Sequence, residues 1–206
     1  MDLVSIFMEI IMSKLYFRYG AMNCGKSTNL LQVAFNYEER GMRVLIIKPK
    51  IDTKGSDFVI SRLGIKRKAD MLVDHGENIF DKISDWIKIN GNIHCILVDE
   101  VQFFKKNDID DLFRIAIIKG IPVICYGLRT DFLMNGFEGS ERLLLIAHSI
   151  EELKNICQCG KKAILNIRKI NENCVFEGSQ VEIDNKDTVK YEAVCGQCYL
   201  KLKGEL

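Results

Sequence analysis

An excess of charge of one sign is missing from this chain. Its 29 Lys and Arg residues stand against 28 Asp and Glu, a formal net charge of +1. A protein whose main task is to hold nucleic acid through a basic face carries a larger positive excess, so that class is disfavoured. Long apolar runs are missing too: none approaches the ~18 residues of a membrane-spanning helix. No low-complexity segment and no internal repeat interrupts the chain. The first residues are apolar (Leu3, Val4, Ile6, Phe7, Met8, Ile10, Ile11) but lack the basic start of a secretory signal and carry Asp2 and Glu9. Residues 1–13 therefore read as an N-terminal extension, with Met12 an alternative start. With no secretory signal, a reducing, cytoplasmic setting is expected, in which the 8 cysteines stay free of disulfides.

What is present is dominated by one stretch, Gly20-Ala21-Met22-Asn23-Cys24-Gly25-Lys26-Ser27. It fits G-x-x-x-x-G-K-[ST], a loop that cradles phosphates. The aromatic run Leu15 to Tyr19 before it reads as a strand, and Thr28 to Arg40 after it carries Leu30, Leu31, Ala34 and Tyr37 at helical spacing. Between a strand and a helix, successive backbone N–H groups and the helix N-terminus face an anion. Lys26 would add a positive charge at the outer phosphates of ATP, and the Ser27 hydroxyl could ligate Mg²⁺.

Along the chain, Arg43 to Lys48 is a short apolar run suited to a strand covered on both faces. Residues 49–70 hold Asp52, Lys54, Asp57, Arg62, Lys66, Arg67 and Lys68 and read as a mobile charged loop. Helices are expected over 77–89, 107–119 and 140–148. Cys95-Ile96-Leu97-Val98 leads into Asp99-Glu100, the Walker B pattern of a buried strand ending in acid. Ligands of an open parallel sheet bind outside the carboxyl ends of its strands, so Asp99 and Glu100 belong on the same edge as Lys26. Two neighbouring carboxylates can divide the work, one serving the metal and one taking a proton. Another buried strand covers 122–128, followed by a loop with Phe132 and Phe137. Strand and helix alternate throughout, which predicts an α/β domain over 14–150 with a parallel sheet and helices on both faces.

Near residue 150 the composition changes. Cys157-Gln158-Cys159-Gly160 and Cys195-Gly196-Gln197-Cys198 bracket a polar, β-prone stretch. Two close cysteine pairs beside glycines resemble a zinc ribbon holding structural Zn²⁺ through four thiolates. That predicts a small second domain over 151–206; Cys174 lies outside both pairs and has no assigned role.

Taken together, Gly20 to Ser27, Asp99-Glu100-Val101-Gln102-Phe103-Phe104, Gly127-Leu128-Arg129-Thr130-Asp131-Phe132 and the late cysteine pairs resemble the type II, zinc-containing thymidine kinase family. The resemblance runs from about Lys14 to the C-terminus. It implies a RecA-like core, a zinc domain whose long lasso loop closes over the nucleoside, ATP and thymidine as substrates, Mg²⁺ with ATP, dTTP as feedback inhibitor and a homotetramer, with no nucleic-acid or membrane partner. It implies Glu100 as catalytic base, Asp99 and Ser27 near Mg²⁺, and Asp99 to Gln102 among the nucleotide contacts. Phe103, Leu128, Phe132, Phe137 and Tyr191 would wall the thymine pocket, and Cys157, Cys159, Cys195 and Cys198 would hold zinc. Two departures stand out. Asp52-Thr53-Lys54 replaces the family's frequent D-x-R, and lysine lacks the bidentate fork of arginine. The lasso between Ile183 and Tyr191 is longer than usual. Two other readings remain open: a P-loop ATPase whose ribbon binds nucleic acid through Lys161, Lys162, Arg168 and Lys169, and a kinase of another nucleoside.

Overall fold

The computed structural model describes residues 13–50, 57–180 and 189–206. The extension up to residue 12, the Asp52-Thr53-Lys54 departure and residues 181–188, where most of the expected lasso falls, lie outside the described residues. From the N-terminus the elements are β1 (Leu15–Tyr19), α1 (Lys26–Glu38), β2 (Val44–Pro49), β3 (Phe58–Ile60), β4 (Lys66–Lys68), β5 (Met71–Val73), α2 (Ile79–Asn90) and β6 (Cys95–Val98). A single 3-10 turn, Val101–Phe103, precedes α3 (Lys106–Ile118), β7 (Val123–Gly127), α4 (Glu138–Ile146) and β8 (Ser149–Glu152).

Six of these strands form one sheet in the order β5-β2-β6-β7-β1-β8, and every neighbouring pair is parallel. Alternate side chains of each strand feed opposite faces. Leu45, Ile47, Ile96, Val98, Val123 and Cys125 pack with Ile79 and Ile83 of α2, Ile109, Leu112 and Ile115 of α3, and Leu143 of α4. Val44, Ile46, Cys95, Leu97, Ile124 and Tyr126 pack on the other face with Leu30, Leu31 and Ala34 of α1. Cys95 and Cys125 are small buried hydrophobes here; burial pushes both thiols up, Cys95 to about 12.

Two expectations change. Residues 49–70 are not all loop: β3 and β4 pair as an antiparallel hairpin, and Val59 buries itself in the α1 core. The partner strand Lys66-Arg67-Lys68 is wholly charged, so no apolar pattern marks it. The boundary placed at residue 150 falls inside β8, which pairs with β1 through Glu152.

Beyond β8 come β9 (Asn155–Ile156), β10 (Lys162–Ala163), β11 (Leu165–Ile170), β12 (Asn173–Val175), β13 (Val189–Val194) and α5 (Gly196–Lys203). β11 sits between β12 and β13 in an antiparallel sheet, and β9 pairs with β10. A third core gathers Cys157, Ala163, Ile167, Ala193, Val194, Cys195 and Tyr199, and it also takes in Ala21 of the phosphate loop.

Candidate active site

The phosphate loop leaves β1 at its carboxyl end and opens α1. Gly25 caps that helix at φ 85, a left-handed conformation that glycine adopts at no steric cost. Gly20 has no room for a side chain: a Cβ there would stand 2.5 Å from both the Leu153 carbonyl and Cys24 Sγ. Lys26 is buried and folds over its own loop, donating to the carbonyls of Ala21 at 2.9 Å and Gly20 at 3.3 Å. Ser27 follows in the first turn of α1.

Asp99 and Glu100 follow β6 on the same edge of the sheet. Asp99 is buried, and its N–H donates to Ile47 of β2. Glu100 sits at φ 50, an unusual left-handed position for a non-glycine residue and one associated with functional sites. Gln102 Nε2 donates to its carboxylate at 2.6 Å, while Gln102 Oε1 accepts the Leu128 N–H at 3.0 Å. Gln102 is itself buried, against Gly127, where a Cβ would lie 2.7 Å from Gln102 Oε1.

The loop after β7 is built around Asp131. Its Oδ1 accepts the N–H groups of Leu133 and Asn135, each at 2.8 Å, and its Oδ2 accepts Gln180 Nε2 at 3.2 Å. Phe137 meets Phe103 edge-on with ring centroids 6.0 Å apart. Phe132 is buried beneath the guanidinium of Arg168, which lies 3.7 Å from the ring centroid. Arg168 Nε donates to the Tyr191 hydroxyl at 3.2 Å, and Nη2 donates to the Ser179 carbonyl. Leu128, Phe103 and Tyr191 are half-buried.

Cys157, Cys159, Cys195 and Cys198 converge so that all four sulfurs lie within 4.8 Å of one another. None of the four is in a disulfide. Tetrahedral zinc with Zn–S bonds of ~2.3 Å needs sulfurs about 3.8 Å apart, a spacing this cluster can meet. The Cys198 N–H donates to Cys195 Sγ. Backbone donation from Cys159 leads the causes that bring the Cys157 thiol down to about 7. The crowded neighbouring thiols push Cys198 up to about 12.

Comparison with known proteins decides the family. The model of the thymidine kinase family matches residues 13–199. The chain belongs to the thymidine kinase family. The thymidine kinase of Enterobacteria phage T4 is 44% identical over 197 residues, covering 95% of this chain and all (100%) of that protein. The thymidine kinase of Rhodopirellula baltica is 45% identical over 186 residues, covering 89% of this chain and 86% of its own. That of Haemophilus influenzae is 44% identical over 197 residues, covering 95% and 100%.

Within this thymidine kinase fold the sequence-expected residues fall into three groups: the loop with its acid pair, the aromatic loop with Tyr191, and the cysteine cluster. The residues that join the groups carry no motif. Asn166 and Arg168 are both buried polar residues on β11, two positions apart and so on one face. That alternation, Asn-x-Arg interleaved with Leu165 and Ile167, is the available signal. Arg168 is thus not part of an exposed basic stripe. Lys169 pairs with Glu192, Lys162 with Glu152, and Lys161 donates to Gln197, so the face required by the nucleic-acid reading is largely engaged internally.

Proposed function

We propose that this protein phosphorylates thymidine, moving the γ-phosphoryl group of ATP to the 5′-hydroxyl and releasing dTMP and ADP for nucleotide salvage in the cytoplasm. The observation that carries the reading is the placement of Glu100. A single buried amide, Gln102, holds its carboxylate and at the same time holds the start of the aromatic loop at Leu128. A proton acceptor tied to the loop that carries Phe132 and Phe137, on the sheet edge that bears a phosphate loop, suits transfer from a nucleotide to a flat nucleoside.

In this reading the backbone of Gly20 to Ser27 receives the ATP phosphates, and Lys26 exchanges its two loop carbonyls for phosphate oxygens. Asp99 to Gln102 line the nucleotide side. Glu100 takes the 5′-hydroxyl proton as that oxygen bonds to the γ-phosphorus and the bond to the β-phosphate oxygen breaks. Phe103, Leu128, Phe132, Phe137 and Tyr191 sandwich the base and exclude water. Ser27 and Asp99 offer hard oxygen donors of the kind Mg²⁺ prefers, and the ion, when bound, neutralises phosphate charge. The four cysteines offer soft thiolates in a closed set, which suits a structural Zn²⁺. We read residues 14–150, extended by β8, as the kinase domain and the remainder as the zinc and lasso domain. The family resemblance supports a homotetramer and feedback by dTTP.

A screen with γ-labelled ATP and the common deoxynucleosides tests the proposal. Label should move to thymidine in preference to the others. Preference for another nucleoside would overturn the substrate, and ATP hydrolysis without any nucleoside product would overturn the transfer.

A further inference from the structure

The cysteine module and the phosphate loop share the Met22 peptide. Asn166 Oδ1, on β11, accepts the Met22 N–H at 2.7 Å. Asn155 Nδ2, on β9, donates to the Met22 carbonyl at 2.8 Å. Both polar groups of one residue in the middle of the loop are therefore satisfied from outside the kinase core. Asn166 is 4% exposed, and its Nδ2 also donates to the Thr130 carbonyl of the aromatic loop at 3.3 Å. Next to Met22, Ala21 is buried in the same core as Cys157 and Cys195. One residue earlier, the Leu153 carbonyl closes on Gly20.

A phosphate loop works by presenting several N–H groups in one arc. Asn166 removes the Met22 N–H from that set and, with Asn155, fixes the Met22 peptide in the middle of the loop. We propose that Asn166, assisted by Asn155, is a positioning residue for ATP, and that the cysteine module is a structural part of the ATP site as well as the base of the nucleoside loop. The inference rests on the reading of Gly20 to Ser27 as the ATP phosphate site.

Asn166→Leu keeps the branched shape and removes both hydrogen bonds. In the full-length protein its ATP dissociation constant should rise about tenfold, the scale expected when a buried partner is lost. AMP, which lacks the β- and γ-phosphates, should lose much less, a selectivity that general loosening of the fold would not produce. Metal content should stay at the wild-type level. Asn155→Ala, at a half-buried site, should move ATP in the same direction and serves where Asn166→Leu folds poorly. Lys26→Ala, measured beside them, separates the two claims. If Lys26→Ala loses ATP while both asparagine variants bind it within twofold of wild type, the positioning role is wrong. If Lys26→Ala binds ATP normally, the loop reading itself fails and the inference with it. Equal losses for ATP and AMP would also overturn the proposal.

Discussion

Gln102 Nε2 stands 2.6 Å from the Glu100 carboxylate, and the other end of the same amide accepts the Leu128 N–H. The amide thus joins the proton acceptor to the loop that walls the base. Gln102→Met removes both bonds at similar size. Its kcat for thymidine should fall about tenfold with KM for ATP nearly constant, because positioning of a base acts at the transition state. Glu100→Gln should lose 10²–10⁴-fold, the usual range for a missing general base. Steady-state kinetics on both variants checks the order; a Glu100→Gln enzyme within about threefold of wild type would remove Glu100 from the mechanism.

Lys26 makes its hydrogen bonds to carbonyls of its own loop. The charge is not part of the packed core. Lys26→Ala should cripple ATP use while the melting temperature stays within a few degrees of wild type. Calorimetry and ATP binding measured on one preparation decide this; normal phosphorylation by a less stable variant would contradict it.

Arg168 is fully buried against Phe132 and tied to Tyr191 and Ser179. Lysine keeps the charge and loses the flat, forked guanidinium that stacks and bonds at once. Arg168→Lys should raise KM for thymidine by about tenfold and leave KM for ATP within about twofold. Tyr191→Phe, which removes only one of these partners, should have a smaller effect. Equal damage to both substrates would place Arg168 in general stability instead.

Much of the sheet is legible in the sequence because β1, β2, β6 and β7 are covered on both faces and read as short apolar runs. The edge strands β5 and β8 are short, and Ser149-Ile150-Glu151-Glu152 has a single apolar residue. β8 pairs because the sheet is already in place, with nothing local to announce it, while β5 is apolar (Met71-Leu72-Val73) but only three residues long. The same division holds at the site. Lys26, Glu100 and the four cysteines sit in spaced motifs because their chemistry demands fixed neighbours. Asn155, Asn166 and Arg168 act across long sequence separations, and only the fold brings their partners near. Gln102 belongs to both classes: its place beside Glu100 follows from the motif, while its bond to Leu128 depends on β6 and β7 being neighbours.

Glu138 supplies a pH-dependent contact. It accepts the Lys106 N–H at 2.9 Å and the Lys105 ammonium at 3.0 Å at the start of α3. The backbone donor, then Lys105, holds its carboxyl below the usual range. A carboxyl depressed by folding contributes stability above its unfolded pKa, and that contribution disappears as pH falls through the folded value. Glu138→Gln should therefore melt about 1–3 °C lower near pH 7 and match wild type more closely below pH 4. Thermal melts across pH 3 to 8 show the convergence; a constant difference at all pH values would mean that the charge is irrelevant.

The cysteine cluster is the last test, and here the structure changes what the sequence alone suggests. From sequence, the metal pins the two ends of the lasso, so its loss should damage thymidine binding more than ATP binding, with the ATP contacts partly surviving. In the fold, Cys157 and Cys195 share a core with Ala21, and Asn155 lies two residues before Cys157 with its side chain on Met22. Metal binding in such small modules is largely folding free energy, so removing a ligand loosens everything that module holds. Cys159→Ser should lower zinc from about one ion per chain, and affinity should fall for both thymidine and ATP. Cys159 is the exposed member of the four, so the exchange disturbs coordination more than packing. Metal content by atomic emission, read beside the two dissociation constants, gives the answer. Zinc-free protein with full activity would refute the metal site. A variant that loses zinc and thymidine affinity but binds ATP as wild type does would show that the loop holds its shape without the module.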